Sequence, residues 1–192
     1  PTPDLETIFP ILIGIWRRFR KISGPADILQ TREFRSVVAT VKTLQQMSKN
    51  GTSLIGTDYF QDPELLGGYL LYQWQIHYQQ GLSLLGELPS IPRRVLDVCS
   101  GPGPFAFAAL RHGVQEVYAA DQSLQALQLG AEVCGRYGMP LTIRRWNCRK
   151  QPINVEGNFD LITIAHSLEE LFPSSEPLWQ DKQQKFINML LG

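Results

Sequence analysis

The chain has 192 residues, 43% of them hydrophobic, and a formal net charge of zero. That length builds one ordinary domain with a real core, or a small domain plus an appendage. The charge balance excludes a global field drawing the chain onto nucleic acid or membrane. Cys99, Cys134 and Cys148 lack C-x-x-C spacing, which argues against a disulfide framework and a metal site and fits a reducing compartment, cytoplasm or organelle matrix.

Local charge is less even. The first 60 residues hold eight Lys or Arg against five Asp or Glu, so the front is mildly basic. Residues 4–22 read as a helix with Asp4 and Glu6 in its first turn and Arg17, Arg18, Arg20 and Lys21 at its end, a placement that complements the helix dipole. The basic end is either solvated or a phosphate-contacting patch. The longest apolar run, Ile8 to Trp16, contains Pro10 and falls far short of the roughly 18 residues of a membrane span, so no membrane partner is expected.

A turn at Ser23-Gly24-Pro25 precedes a second helix over about residues 31–48, where Phe34, Val37, Val38, Val41 and Leu44 recur at helical spacing before a stop at Asn50-Gly51. After a loop through Gly56, Asp62-Pro63-Glu64 reads as an N-cap, a first-turn proline and a first-turn acid. The helix it opens runs to about Leu88, with Gly81 as the place for a break. Its aromatics, Tyr69, Tyr72, Trp74 and Tyr78, read as packing and amphipathic surface rather than a base-stacking platform. Pro89 to Pro92 connect this helical N-terminal extension, residues 1–90, to a second unit, residues 91–192.

From Arg94 the pattern alternates strand and helix. Val95–Cys99 is a buried strand, Gly101 and Gly103 lie in a tight turn, and Pro104–Arg111 is a helix. Further strands follow at Glu116–Ala120, Leu141–Trp146 and Phe159–Ala165, with a helix over Ser123–Tyr137 closed by Gly138 and Pro140. The alternation predicts an α/β fold with a parallel sheet wound by right-handed connections and a ligand outside the strands' carboxyl ends.

The glycine turn admits two cofactors. Gly101, Gly103 and Ala106 satisfy G-x-G-x-x-G/A, with Asp121 about 20 residues on for ribose hydroxyls, the pattern of a nicotinamide or flavin dinucleotide site. However, Asp97 inside the first strand, followed by a short loop into G-x-G, resembles motif I of the class I S-adenosylmethionine (SAM)-dependent methyltransferases. Cys99 stands where many of that superfamily have glycine. The resemblance implies a Rossmann-like methyltransferase fold and SAM as cofactor. Asp97 would face its amino acid moiety, Ser100, Gly101 and Gly103 would let the backbone approach, Asp121 and Gln122 would hold the ribose, and Asn147 and Ala165 would line the third and fourth strand ends. Asn147 is equally a turn residue bonding its own backbone.

The fourth strand end reads Ala165-His166-Ser167-Leu168-Glu169-Glu170-Leu171. It has neither an Asn- or Asp-Pro-Pro-aromatic motif for exocyclic amines nor a Pro-Cys pair for attack on pyrimidines. His166 is the candidate general base, or a wall of the pocket; Cys148 reads as a small buried residue.

The helix ELLGGYLLYQWQIHYQQGLSLLGELP leading into VLDVCSGPGP, then FDLITIAHSLEEL and KQQKFINMLLG, resembles the methyltransferase-like proteins of the small ribosomal subunit, found in bacteria and mitochondria. The resemblance implies association with small-subunit rRNA, by methylation or as an assembly factor without catalysis. Its mitochondrial members carry an iron–sulfur cysteine cluster that this sequence lacks, so no metal is expected. A small-molecule methyltransferase with a helical lid is the other enzymatic reading. Four strands where the superfamily has seven, in the order 3-2-1-4 that the resemblance implies, would leave DLITIA as an exposed edge, from which the chain is expected to be part of a longer protein.

Overall fold

The computed structural model describes residues 5–49, 59–150 and 157–192. Asp4, the Asn50-Gly51 stop and the loop through Gly56 lie outside them. Helix α1 (Leu5–Arg20) buries Ile8, Leu12, Ile15 and Trp16, which recur every three or four residues, and continues through Pro10. Helix α2 (Thr31–Lys49) buries Val37 and Leu44, whereas Phe34 and Val38 face solvent. One apolar stripe therefore packs and the other does not.

At the basic end of α1, Arg17 is buried and Arg20 half-buried, while Arg18 and Lys21 are exposed. Arg17 and Glu33 of α2 form a two-pronged ion pair, Nε to Oε1 at 2.8 Å and Nη2 to Oε2 at 2.7 Å, with both side chains almost wholly buried. Two of the remaining guanidinium hydrogens reach the carbonyls of Pro25 and Ile28. A Cβ on Gly24 would lie 2.8 Å from Arg17 Cζ, so glycine lets the turn wrap the cation. Arg18 pairs with Glu132, and Arg20 pairs with Glu64 while lying over Trp16.

Asp62 caps the next helix as its sequence predicts, accepting from the amides of Glu64 and Leu65. Helix α3 (Pro63–Gly68) passes through a π-helical turn (Tyr69–Gln73) into α4 (Trp74–Gly86). No break occurs at Gly81, which instead admits α5 (Pro104–His112): a Cβ there would stand 2.9 Å from that of Ala108. Trp74, Tyr78 and Phe107 fill this contact with rings 5.1–5.5 Å apart. Tyr69, Trp74 and Tyr78 are buried as packing residues, while Tyr72 is exposed.

Four parallel strands, β1 (Arg94–Val98), β2 (Glu116–Asp121), β3 (Thr142–Arg145) and β4 (Leu161–Ile164), lie in the order β3-β2-β1-β4, the order the class I methyltransferase resemblance implies. Val95, Val117 and Ala119 face the helical side, sharing one core with Ile8, Leu12, Trp74 and α6 (Leu124–Arg136). Leu96, Val98 and Ala120 face a second core closed by Trp146 and by Phe186 of the C-terminal helix (Trp179–Leu191). Residues of both the helical extension and the sheet thus belong to one core.

Removing one member of the Arg17–Glu33 pair strands the other as a buried charge. Arg17→Met is expected to cost about 3–5 kcal/mol in urea denaturation, and Arg17→Met/Glu33→Leu to recover most of that loss.

Candidate active site at the strand ends

The turn after β1 needs left-handed backbone three times: φ is +55° at Cys99, +54° at Gly101 and +71° at Gly103. Cys99 therefore occupies a conformation that glycine adopts more cheaply, the physical sense of the glycine common at this place. Gly103 ends the turn by donating to the Ser100 carbonyl and starting α5, with Pro104 at its first turn.

Asp121, at the end of β2, spans this turn. Its Oδ2 accepts from the Gly101 amide at 2.9 Å and its Oδ1 from the Ser123 amide at 2.8 Å. A carboxylate offers about four lone-pair sites, so these bonds are compatible with holding ribose hydroxyls. Asp97 is only 2% exposed; Oδ2 accepts from Ser100 Oγ at 2.5 Å and Oδ1 from Thr163 Oγ1 at 2.7 Å. The register that sets Asp97 beside Thr163 on β4 makes the second bond possible. Burial pushes the Asp97 carboxyl up to about 6, against the bonds from Ser100, Thr163 and the Ala106 amide, which favour its charged form.

The other predicted residues are placed less decisively. Asn147 Oδ1 accepts from the Arg149 amide, the local turn bond that was one of its two readings. The Gln122 carbonyl accepts from Arg145 Nε, and the Ala165 carbonyl from Ser167 Oγ. The Cys99 thiol donates to Cys148; that bond, with burial, raises Cys99, and accepting it lowers Cys148.

His166 follows β4 with φ +59°, left-handed for a residue with a side chain. Its Nε2 lies 3.0 Å from Gln80 Oε1, and its ring stacks on that of His77 at 4.1 Å and 14°. Burial, then the neighbouring His166, lowers His77 to about 4. His77 meets Tyr69 edge-on at 5.9 Å, and Tyr69 meets Phe60 at 5.2 Å. Burial, then the carboxylates of Asp97, Asp121 and Glu170, pushes the Tyr69 hydroxyl up. A Cβ on Gly101 would approach Phe60 Cζ to 3.2 Å, so this aromatic row starts over the glycine turn and ends at β4.

Sequence reasoning missed several of these residues. Trp74 Nε1 donates to the Pro102 carbonyl at 3.0 Å, binding α4 to the glycine turn. Gly130 lies under the same carbonyl, where a Cβ would come within 2.8 Å of it. A glycine inside the apolar helix LQALQLGAEV was a legible signal of close approach, as was a threonine inside DLITIA. No local pattern marked Trp74, His77 or Gln80.

The donor set fits SAM: a turn with little side chain beside the ligand, one carboxylate placed for ribose hydroxyls, and a buried carboxyl for an ammonium group. Residues 95–181 match the family described as a methyltransferase domain. None of the curated proteins matches the chain. Among solved structures, the chain is similar to a ribosomal protein L11 methylase from Lactobacillus delbrueckii subsp. bulgaricus at 25% identity and TM-score 0.41, covering 53% of this chain and 52% of that one. It is also similar to the PH0226 protein of Pyrococcus horikoshii (22%, TM-score 0.45, 62% and 53%). A third is the tRNA (uracil-54, C5)-methyltransferase of Pyrococcus abyssi in complex with S-adenosyl-L-homocysteine (20%, TM-score 0.37, 48% and 21%). The chain spans about half the length of the L11 methylase. No described helix is long and apolar enough to cross a membrane, and no group of three or more His, Cys, Asp or Glu among the described residues could hold a metal ion.

Asp97 is protonated in the folded chain up to about pH 6 but only to about 3.8 when unfolded. The folded state therefore binds the extra proton, and this group's contribution to stability falls as pH rises from about 4 to 6. Urea denaturation of Asp97→Asn should show little gain at pH 4 and a gain of up to about 3 kcal/mol at pH 7.5.

Proposed function

We propose that this chain, whose residues 95–181 match a methyltransferase domain, is a class I SAM-dependent methyltransferase that binds SAM at the strand ends and acts on, or assembles with, small-subunit rRNA. The observation that carries the cofactor assignment is the Asp121 carboxylate bonded to the Gly101 amide, which fixes the glycine turn against the ribose position. Asp97 faces the amino acid moiety and Asn147 the adenine edge. Bound there, SAM supplies an electrophilic methyl group on a sulfonium. The protein's part is to orient the donor with Asp97 and Asp121, cover it with Phe60 and Tyr69, and bring an acceptor to His166.

The RNA reading rests on a surface other than the end of α1. Arg144 and Arg145, the last two residues of β3, and Lys150 beyond it are exposed. Arg149, next to Lys150 in the chain, lines with Lys182 and Lys185 a groove of about 420 Å³ that also holds Phe172, Met189 and Glu176, the last paired with Lys182. Cations around an aromatic ring suit a polynucleotide backbone and an unstacked base. The small-molecule reading draws on a different feature, the aromatic row of Phe60, Tyr69 and His77 over the carboxylates.

Calorimetric titration with SAM and with S-adenosylhomocysteine should show both binding, with binding lost in Asp121→Ala and affinity rising as pH passes through about 6, where Asp97 ionises. Failure of both ligands to bind the folded protein would move the reading to a non-catalytic assembly factor. For a small-subunit rRNA fragment, affinity is expected to fall steeply with salt and to weaken in Arg145→Glu/Lys185→Glu; salt-insensitive binding would remove the RNA assignment.

A further inference from the structure

The histidine at the fourth strand end is held by two residues of the helical extension. His166 sits at φ +59° immediately after Ala165, a backbone cost that surrounding contacts must sustain. Two side chains of α4 supply those contacts. Gln80 Oε1 lies 3.0 Å from Nε2, and the His77 ring is stacked at 4.1 Å, with Phe105 at 6.2 Å edge-on. An amide oxygen only accepts, so the ring nitrogen facing it carries the hydrogen and the lone pair falls on Nδ1. His166 itself is solvent-exposed, within reach of an acceptor.

We infer that Gln80 and His77 are positioning residues that present His166 as a base through Nδ1, and that the methyl acceptor is an atom that loses a hydrogen on methylation, such as an N–H nitrogen or an O–H oxygen, rather than a thioether or a tertiary amine. This inference rests on the SAM reading above and specifies the acceptor class for that site. As the acceptor atom bonds to the methyl carbon, the carbon–sulfur bond breaks with its electron pair on sulfur, and the acceptor's proton passes to Nδ1. His77 stays neutral through the physiological range, since burial lowers it to about 4, so the stack carries no charge repulsion from that ring. The other titratable groups here are Tyr69, edge-on to His77, and the Asp97, Asp121 and Glu170 carboxylates that face Tyr69.

Histidine-labelled NMR of the whole chain tests this without knowledge of the acceptor. In the wild type, neutral His166 is expected as the Nε2–H tautomer. Gln80→Leu should mix the tautomers, and Gln80→Glu should raise the His166 titration midpoint by about one unit, because a carboxylate then faces Nε2–H. His77→Ala should move the His166 Hε1 resonance downfield as ring-current shielding is lost, and His77→Phe should restore it. Gln80 is exposed, so its variants are expected to fold, checked by circular dichroism. An Nδ1–H tautomer in the wild type, or an unchanged midpoint in folded Gln80→Glu, would overturn the inference. A SAM titration of the wild type separates the two proposals: its failure sinks the cofactor reading, whereas the tautomer and midpoint bear on His166 alone.

Discussion

The site depends on a chain reversal that L-residues resist. Between β1 and α5 the backbone turns left-handed at Cys99, Gly101 and Gly103, and nearly every neighbouring element contributes a contact that holds it there. The Ser100 amide donates to the Ala120 carbonyl, and Ser100 Oγ donates to Asp97. Asp121 receives the Gly101 amide, Trp74 caps the Pro102 carbonyl, and Gly130 leaves the room that carbonyl occupies. A turn held from β1, β2, α4 and α6 cannot relax without disturbing all four. That rigidity lets bare backbone face a ligand in a fixed place.

One of those holds, the Trp74 bond, comes from a part of the chain that a domain boundary near residue 90 would separate from the turn. The helix over 63–86 shares a core with the sheet, and it brings Tyr69, Trp74, His77 and Gln80 to the strand ends. The π-helical turn at Tyr69–Gln73 inserts an extra residue's rotation between Tyr69 and Trp74, so the aromatic row and the sheet-packing face can both be served by one continuous helix. Such turns recur at functional sites for this reason. Each aromatic contact adds only about 0.5–1.5 kcal/mol, so the row's importance lies in placement rather than stability.

Charge is distributed by the same logic. Buried carboxyls act differently according to their partners: Glu33 is held below the usual carboxylate range by its bonds to Arg17, while Asp97, bonded only to neutral donors, is pushed up. The first pair fastens α1 to α2. The second group ties the turn after β1 to β4 through Ser100 and Thr163.

Local chemistry was legible in the amino acids themselves. The parallel strands and their crossover helices follow from alternating apolar runs, the Asp62 cap from its neighbours, and the acids near the ends of β1 and β2 from their positions before turns. Each depends on residues within a few places of one another. Tertiary structure alone decided that the arginines ending α1 are spent on Glu33, Glu132 and Glu64, since the composition of a helix end does not say which carboxylate folds against it. It alone placed Thr163 beside Asp97, Trp74 under the glycine turn, and Gln80 and His77 on His166, because each pairing joins residues 28 to 89 positions apart. Periodicity fixes which way a side chain points from its own element; what it meets there is set by how the elements pack.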